Sequence, residues 1–466
     1  MVDPIEALRV LFSEFYFWVM IALMFLIHVG FCTYEMSVSR YQNAAHTLMK
    51  NIMLIPLVTM TMFFFGWWFY FAFQNGPGIT GGLLSAPWAL PWSELMGPHL
   101  GGSVQQPGLT VTNAHDWARL NGVFFAAFTL FSWTTASIVS GALIERVRSG
   151  AYWIIAILVG SVTWIIAAAW GWSSGGWMTM LWGYHDAYAS GVVHAVGGGT
   201  ALGVLCHLGP RIGRFRPDGT ARTFPPQSPG LATLGLFFMF TGFWGFYGAC
   251  NVPIFDLDPS TGTYFTALTI YMTPTTLGAI TMNFLMSFSG GLLMGYRLSH
   301  GDAFWTASCG LAGIIAASAG NDLYHPLEAF LVGAMGAGVA YYLHNFVERK
   351  FHIDDAVGAV AVHGYAGAFG VIAAGVFLYG YPALPIENSV QITLWGQVCG
   401  ALLMFFGFGF IPGYLLAWIF KKCHFLRIPH EVELLGLDIQ SLEEVEVAHK
   451  EVATAELSAF NQDKKQ

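Results

Sequence analysis

The chain has 466 residues, 55% of them hydrophobic and 10% charged, with a formal net charge of −8. A soluble domain carries about 25% charged residues, so the composition excludes an ordinary soluble protein and points to a lipid bilayer. Nine of the acidic residues follow Ile428, so the net charge describes a tail, and a nucleic-acid partner has no support.

About 20 apolar residues cross a bilayer as a helix, and only helices or closed barrels satisfy the backbone there. The opening MVDPIEALRVLF has no basic segment and no small-residue cleavage site, so no removable signal peptide is expected. Apolar runs predict spans near 14–34, 52–74, 121–143, 152–171, 188–208, 229–250, 265–293, 302–319, 326–346, 356–379 and 392–420. The long connection at 75–118, rich in Gly and Pro, is expected to fold over the extracellular mouth. The basic, turn-rich segment 209–227 joins two halves. After Arg427 the chain turns polar and acidic, with a helix-like stretch, SLEEVEVAHKEVATAEL.

The expected architecture is an all-α polytopic membrane protein of eleven transmembrane helices with an inverted five-helix repeat. The membrane domain covers 1–427, with repeat halves at about 14–208 and 229–379 and a last span at about 392–420. Residues 428–466 form a cytoplasmic tail. Abundant glycine, 55 residues, suits close helix packing in lipid, where small residues line the interfaces.

Positive charge sets the orientation, because cytoplasmic loops are enriched in Lys and Arg. Of the 19 Lys and Arg residues, three lie in the distal tail and two, Arg9 and Arg119, fall on one set of loops. The other 14 fall on the alternate set, among them Arg40, Arg146, Arg211, Arg214, Arg349 and Arg427. The N-terminus is therefore expected outside a cell membrane and the C-terminus in the cytoplasm.

Two segments 169 residues apart share the pattern D-A-x5-V-H-x3-G: Asp186 to His194 and Gly198, and Asp355 to His363 and Gly367. The first opens span five from outside and the second opens span ten from the cytoplasm, as an inverted repeat requires. Such repeats place a substrate site near the midplane, between the halves. Eight residues of helix carry each histidine roughly 12 Å beyond its aspartate. The middle of a hydrocarbon core about 30 Å thick lies about 15 Å from either face. Both imidazoles therefore come within about 3 Å of the midplane. Whether they touch depends on helix rotation.

An aspartate at a helix start caps free N–H groups. Capping is the expected role of Asp355, whereas Asp186, facing outside, is equally suited to attracting a cation. Ionisable residues inside a membrane are costly and mark functional sites, which makes His194 and His363 the candidate pore residues. A structural hydrogen bond between helices is the plainer alternative. His28, His207 and His344 lie near span ends or lack a partner and read as structural. The six cysteines show no CxxC or CxH spacing, so neither a disulfide framework nor a metal site is suggested. Haem ligation by the two histidines would require room for a porphyrin between them.

Several motifs, in this order, resemble the ammonium transporter family (Amt/Mep, distantly Rh) over roughly residues 45–440. They are HTLMKN at 46–51, GALIER at 141–146, WGWSSGGW at 170–177, DAYASGVVHAVGG at 186–198, GPRIGRF at 209–215, GFWGF at 242–246 and DDAVGAVAVHGYAG at 354–367. VGAVAVHG is closer to the Amt branch. The resemblance implies a homotrimer whose subunits each carry a narrow hydrophobic pore for ammonium or ammonia, without a cofactor and without enzymatic chemistry. It implies that His194 and His363 are the paired pore histidines and that Phe131 and Phe246 are the phenyl rings occluding the outer pore. Trp172 matches the tryptophan beside the external cation site, and Asp186 the buried acid behind it. Aromatic faces offset part of the cation's lost hydration, by about 0.5–2 kcal/mol each. Deeper apolar walls favour the neutral form.

The sequence departs from the family at several points. Cys250 stands where members usually carry serine, and a thiol is a weaker hydrogen-bond partner. FCTYEMSVSRYQN, with Glu35, replaces glycine-rich sequence in the first span. Glu433, Gly436, Leu437 and Asp438 resemble the family's regulatory C-terminal motif, which makes a PII-type signal protein a candidate partner at the cytoplasmic face. An ammonium sensor, signalling through the tail from the same fold, is the competing reading.

Overall fold

Backbone N–H and C=O groups cannot stay unpaired in an apolar surround, so long apolar runs close into helices, and the structure is built from them. The computed structural model describes residues 4–74, 89–93, 96, 111–173, 175–258, 263–269, 271, 273–384 and 389–438. The greater part of the connection at 75–118 and the tail stretch 441–457 lie outside the described residues.

In chain order the helices are α1 (Pro4–Val38), α2 (Tyr41–Ala72), α3 (Val111–Ala142), α4 (Ser149–Gly171), α5 (Ser190–Leu208) and α6 (Pro229–Ala249). After a small sheet come α7 (Leu277–Leu298), α8 (Ala303–Ala317), α9 (Pro326–Phe351), α10 (Val360–Phe377), α11 (Leu394–Lys422) and the short α12 (His430–Leu435). Among the described residues, ten helices are long and apolar enough to cross a membrane. The run at 302–319 forms α8, a shorter apolar helix of 15 residues capped by Asp302, whose carboxylate accepts from the Trp305 N–H. The chain is a multi-pass membrane protein.

One predicted span is corrected. Helix was expected from 265, but residues Asn251–Asp258, Thr263–Thr269 and Pro274–Thr275 form a three-stranded antiparallel sheet, β1-β2-β3. The stretch TYFTALTIYMTPTT is rich in β-branched and aromatic residues, which favour strands, and Pro274 lacks the N–H a helix interior needs. Helix α7 begins only after Thr276, whose hydroxyl accepts from the Ala279 N–H. The protein is mostly helical, with this sheet at the Cys250 end of α6.

Two helix seams organise the centre, and both rest on glycine. Along α1 and α6, Gly245 lies against Met24, Gly242 against Ile27 and Gly235 against Tyr34, so one chain advances as the other retreats. Along α5 and α10, Gly198 lies against Gly364, Gly367 against Ala195, and Gly191 against Val371, again in opposite directions. A Cβ on Gly198 would come within 2.3 Å of the Gly364 backbone, so only glycine permits this approach. Helices one and six, and five and ten, are counterparts in the inverted repeat, and each packs antiparallel on its own counterpart.

The counterparts also begin alike. Asp186 Oδ2 accepts from the Gly191 and Val192 N–H groups at 2.8 and 3.0 Å. Asp355 accepts from Ala359 and Val360 at 2.9 and 2.8 Å. Each aspartate is followed by a backbone position in the left-handed region five residues before its histidine, Ala189 at φ 70° and Gly358 at φ 72°. Alanine pays for that conformation where glycine does not. Each helix then opens with a π-helical turn, Ser190–Ala195 and Val360–Tyr365, that contains its histidine. Such turns are rare and occur often at functional sites.

Candidate functional site

The two π turns aim His194 and His363 at one another across the α5–α10 seam. Their Nδ1 atoms are 3.0 Å apart and their rings nearly parallel, with centroids 5.1 Å apart and planes 23° apart. Both side chains are buried. At that distance one Nδ1 carries a hydrogen and the other accepts it. The outer nitrogens of the pair then differ, one Nε2 accepting and the other donating.

Aromatic rings continue this contact on either side. The His194 ring stacks on Phe246 and Phe243, with centroids 5.5 and 5.7 Å away. Phe246 meets Phe131 edge to face at 4.7 Å, and Phe131 meets Trp172 edge to face at 5.0 Å. On the other side the His363 ring lies 6.0 Å from Phe31. The order Trp172, Phe131, Phe246, His194, His363, Phe31 forms one continuous line of rings through the buried centre. Beyond His363 a cavity of about 20 Å³, measured as space for a water's centre, is walled by Phe31, Tyr34, Gly141, Ser308, Val357 and His363 among others. That volume admits one molecule the size of water.

His194 Nε2 is buried and has no hydrogen-bond partner among the described residues. A porphyrin has no room between imidazoles in direct hydrogen-bond contact, which removes haem ligation from consideration.

The remaining sequence candidates cluster at the Trp172 end. Trp172 is buried, and its indole N–H donates to the Ala187 carbonyl at 3.3 Å. Asp186 is bound as a helix cap and by the Tyr184 hydroxyl at 3.1 Å, yet its Oδ1 has no hydrogen-bond partner among the described residues. Both roles weighed for it are therefore compatible with its geometry. The Cys250 thiol donates to the Phe246 carbonyl one helical turn back, at 3.2 Å, and so faces its own helix. Beside it Tyr188 and Tyr247 stack with centroids 4.2 Å apart, and the Tyr188 hydroxyl donates to Asn251 Oδ1.

Sequence reasoning did not single out Phe31 or Phe243. Phe243 sits three residues before Phe246 in GFWGF, the spacing that puts two rings on one helix face, so a signal existed. Phe31 carried none, because its neighbour His363 comes from the other half. His28 Nε2 donates to the Asn51 carbonyl and its Nδ1 pairs with Ser137 Oγ, both at 3.2 Å, a structural role.

At the opposite end of the helices, Asp354 is the centre of a buried ion cluster. Arg211 forks onto both its carboxylate oxygens at 2.8 and 2.9 Å, and Arg146 donates to its carbonyl at 2.6 Å. Burial alone would raise the Asp354 carboxyl, but the two guanidiniums hold it well below the usual carboxylate range. Burial brings Arg146 down to about 10. The family-like tail docks beside this cluster. Asp438 accepts from the Ala45 and His46 N–H groups at the start of α2, Leu437 N–H donates to Asn43, and Glu433 is ion-paired with Arg427 at 2.7 Å.

The model of the Ammonium Transporter Family matches residues 15–447. The chain belongs to that family. Ammonium transporter Amt2 of Archaeoglobus fulgidus is 29% identical over 442 residues, covering 91% of this chain and 86% of the relative. Ammonium transporter Amt1 of Methanocaldococcus jannaschii is 25% identical over 430 residues, covering 92% and 95%. A solved structure of a Sensor Amt Protein has the same fold, with TM-score 0.74 at 24% identity over 93% of this chain and 99% of that one. Membership places the protein in a family of transporters.

Proposed function

We propose that this protein carries ammonium or ammonia across a cell membrane along the line Trp172, Phe131, Phe246, His194 and His363. The observation that carries the reading is the buried 3.0 Å contact between the two Nδ1 atoms, flanked by phenyl rings on one side and a water-sized cavity on the other. Family membership supplies the substrate class.

Each group does what its chemistry permits. Trp172 and Phe131 supply aromatic rings whose faces attract a cation stripped of part of its water. The unpaired Oδ1 of Asp186 adds negative charge behind them. Hydrated alkali ions lack the N–H donors that would replace their lost water. Phe131 and Phe246 close the path to anything that cannot displace their rings. A proton taken up at one outer Nε2 moves the shared Nδ1 hydrogen to the other ring, which releases its own Nε2 hydrogen; no net charge stays behind. Ammonia meets a donor and an acceptor at the same pair.

The membrane domain covers residues 1–427 and the tail 428–466. The 14-to-2 distribution of basic residues supports an outer N-terminus and a cytoplasmic C-terminus, so Trp172 faces outward. The subunit works in a homotrimer, each copy with its own path, and a PII-type protein meets the docked tail near Asp438.

Growth on low ammonium, in a host lacking its own ammonium transporters, tests the reading. Rescue is expected. Folded, membrane-inserted protein that fails to rescue growth assigns the same fold to sensing through the tail.

A further inference from the structure

His185 precedes Asp186 in the segment that leads into α5, and it is fully buried against a carboxylate. Its Nε2 lies 3.1 and 3.0 Å from the two oxygens of Asp322, in the connection between α8 and α9, whose side chain is equally buried. Gln397 of α11 fixes the His185 backbone, accepting from its N–H at 3.3 Å and donating to its carbonyl at 2.7 Å. The Tyr271 ring lies against the imidazole, with centroids 4.8 Å apart. Buried charge persists where it is paired and hydrogen-bonded, and this pair meets both conditions.

The pair is built into the wall behind the outer site. The Ala187 and Tyr188 N–H groups donate to the Ala319 and Ser318 carbonyls at 3.0 and 2.9 Å, so the segment is stitched to the connection that supplies Asp322. Trp172 donates to the Ala187 carbonyl, and Asp186 keeps its Oδ1 without a hydrogen-bond partner among the described residues. His185 is thus one residue from the carboxylate and two from the carbonyl that anchors the tryptophan.

Charge couples the neighbours. Burial raises the Asp186 carboxyl, whereas the Val192 and Gly191 N–H groups, the Tyr184 hydroxyl and the His185 charge hold it down. Burial alone would lower the His185 imidazole, but Asp322 outweighs it and raises the ring above its ordinary range. The other titratable groups around the two residues are Tyr184 and Tyr188 of the segment, Tyr271 beyond β2, Tyr324 after Asp322, and Tyr247 and Cys250 at the end of α6. Burial raises Tyr184, Tyr188, Tyr271, Tyr324 and Cys250, so these five carry no charge near neutral pH.

We propose that His185 and Asp322 are the positioning pair of the outer site, the imidazolium keeping Asp186 ionised where ammonium is first taken up. The pair acts through Asp186 and touches no substrate. Its link to ammonium rests on the transport reading above; its effect on the Asp186 proton does not.

His185→Gln and Asp322→Asn test it. Glutamine offers Asp322 an N–H donor in place of Nε2 without the charge. Asparagine leaves His185 buried without its counter-charge, so the ring gives up its proton. In both variants Asp186 takes up a proton at a pH about one unit or more higher than in the parent. Ammonium uptake by proteoliposomes is then expected to need about tenfold more ammonium for half-saturation at mildly acid pH, with the maximal rate within about twofold. Asp322→Glu keeps the charge and recovers part of the parent profile. A lower maximal rate and melting temperature at every pH, with an unmoved profile, would mean a structural pair only and overturn the proposal. Infrared spectra read the carboxyl without transport, the Asp186 band being the one that Asp186→Asn removes. Its midpoint should move up in H185Q and D322N. An unmoved midpoint, or a parent carboxyl already protonated at neutral pH, overturns the proposal whatever uptake shows. If the parent takes up no ammonium and the band still moves, the transport reading falls and the pair's hold on Asp186 stands.

Discussion

Phe131 and Phe246 meet edge to face with centroids 4.7 Å apart, and Phe246 also stacks on His194 with centroids 5.5 Å apart. One ring thus belongs both to the proposed closure and to the contact with the histidine pair, so the two are mechanically joined.

Replacing Phe246 with leucine removes both contacts. An aromatic pair is worth about 0.5–1.5 kcal/mol beyond its buried area. F246L is expected to fold, to bind ammonium about threefold or more weakly, and to admit some potassium. Ammonium and potassium flux into proteoliposomes measures both, and unchanged selectivity would count against the closure.

His363→Ala leaves His194 Nδ1 without its partner in a buried site. Transport is expected to fall by about tenfold or more, since a buried polar group left unpaired costs about 1–3 kcal/mol. H363A with the parent's flux and the parent's selectivity against potassium would sink the pore assignment.

Cys250→Ser tests the outer site. A hydroxyl replaces a thiol that donates to the Phe246 carbonyl, and hydroxyls hydrogen-bond more strongly. C250S is expected to match the parent in melting temperature and to lower the half-saturating ammonium concentration. A higher concentration would show that the thiol is adapted to its place.

Asp354 sets an acid limit. Its carboxyl is held low in the fold by Arg146 and Arg211 and returns to about 3.9 when the chain unfolds. The stabilisation is complete above the unfolded value and drains away as pH falls toward and through the folded one. Asp354→Asn leaves buried Arg211 with Glu145, 3.9 Å away, as its remaining carboxylate partner, at a cost of up to about 3–5 kcal/mol. Melting of the two proteins from neutral to acid pH should show a large gap that narrows as pH falls.

Gly198→Val probes the seam. Its Cβ would strike the Gly364 backbone at 2.3 Å, and overpacking of this kind costs about 1–3 kcal/mol or more. Thermal stability in detergent should drop, whereas valine at the unconfined Gly338 should cost far less.

That the two histidines belong together was legible in the repeated D-A-x5-V-H-x3-G pattern, but the eight residues from aspartate to histidine are not continuous α-helix, since a left-handed position and a π turn intervene in each copy. Capping by Asp186 and Asp355 was legible because a cap is local to its helix start. The rotation that brings Nδ1 to Nδ1 was not, because it depends on Gly198 and Gly364, whose proximity links residues far apart in the chain. The pairing of His185 with Asp322 joins residues 137 apart in the chain and leaves no periodic trace. The strands at 251–275 were hidden by hydrophobicity, since Tyr264, Phe265 and Leu268 raise the apolar count whether the backbone is coiled or extended.

The glycine seam between α5 and α10 also limits how this protein can move. A carrier that alternates its access by rocking one repeat against the other needs an interface able to slide. Here backbone meets backbone at Gly198 and Gly364, directly beside the residues that would have to part. On the proposed path, passage is then a matter of ring and side-chain excursions beside a close-packed seam, with Phe131 and Phe246 the rings that must swing aside.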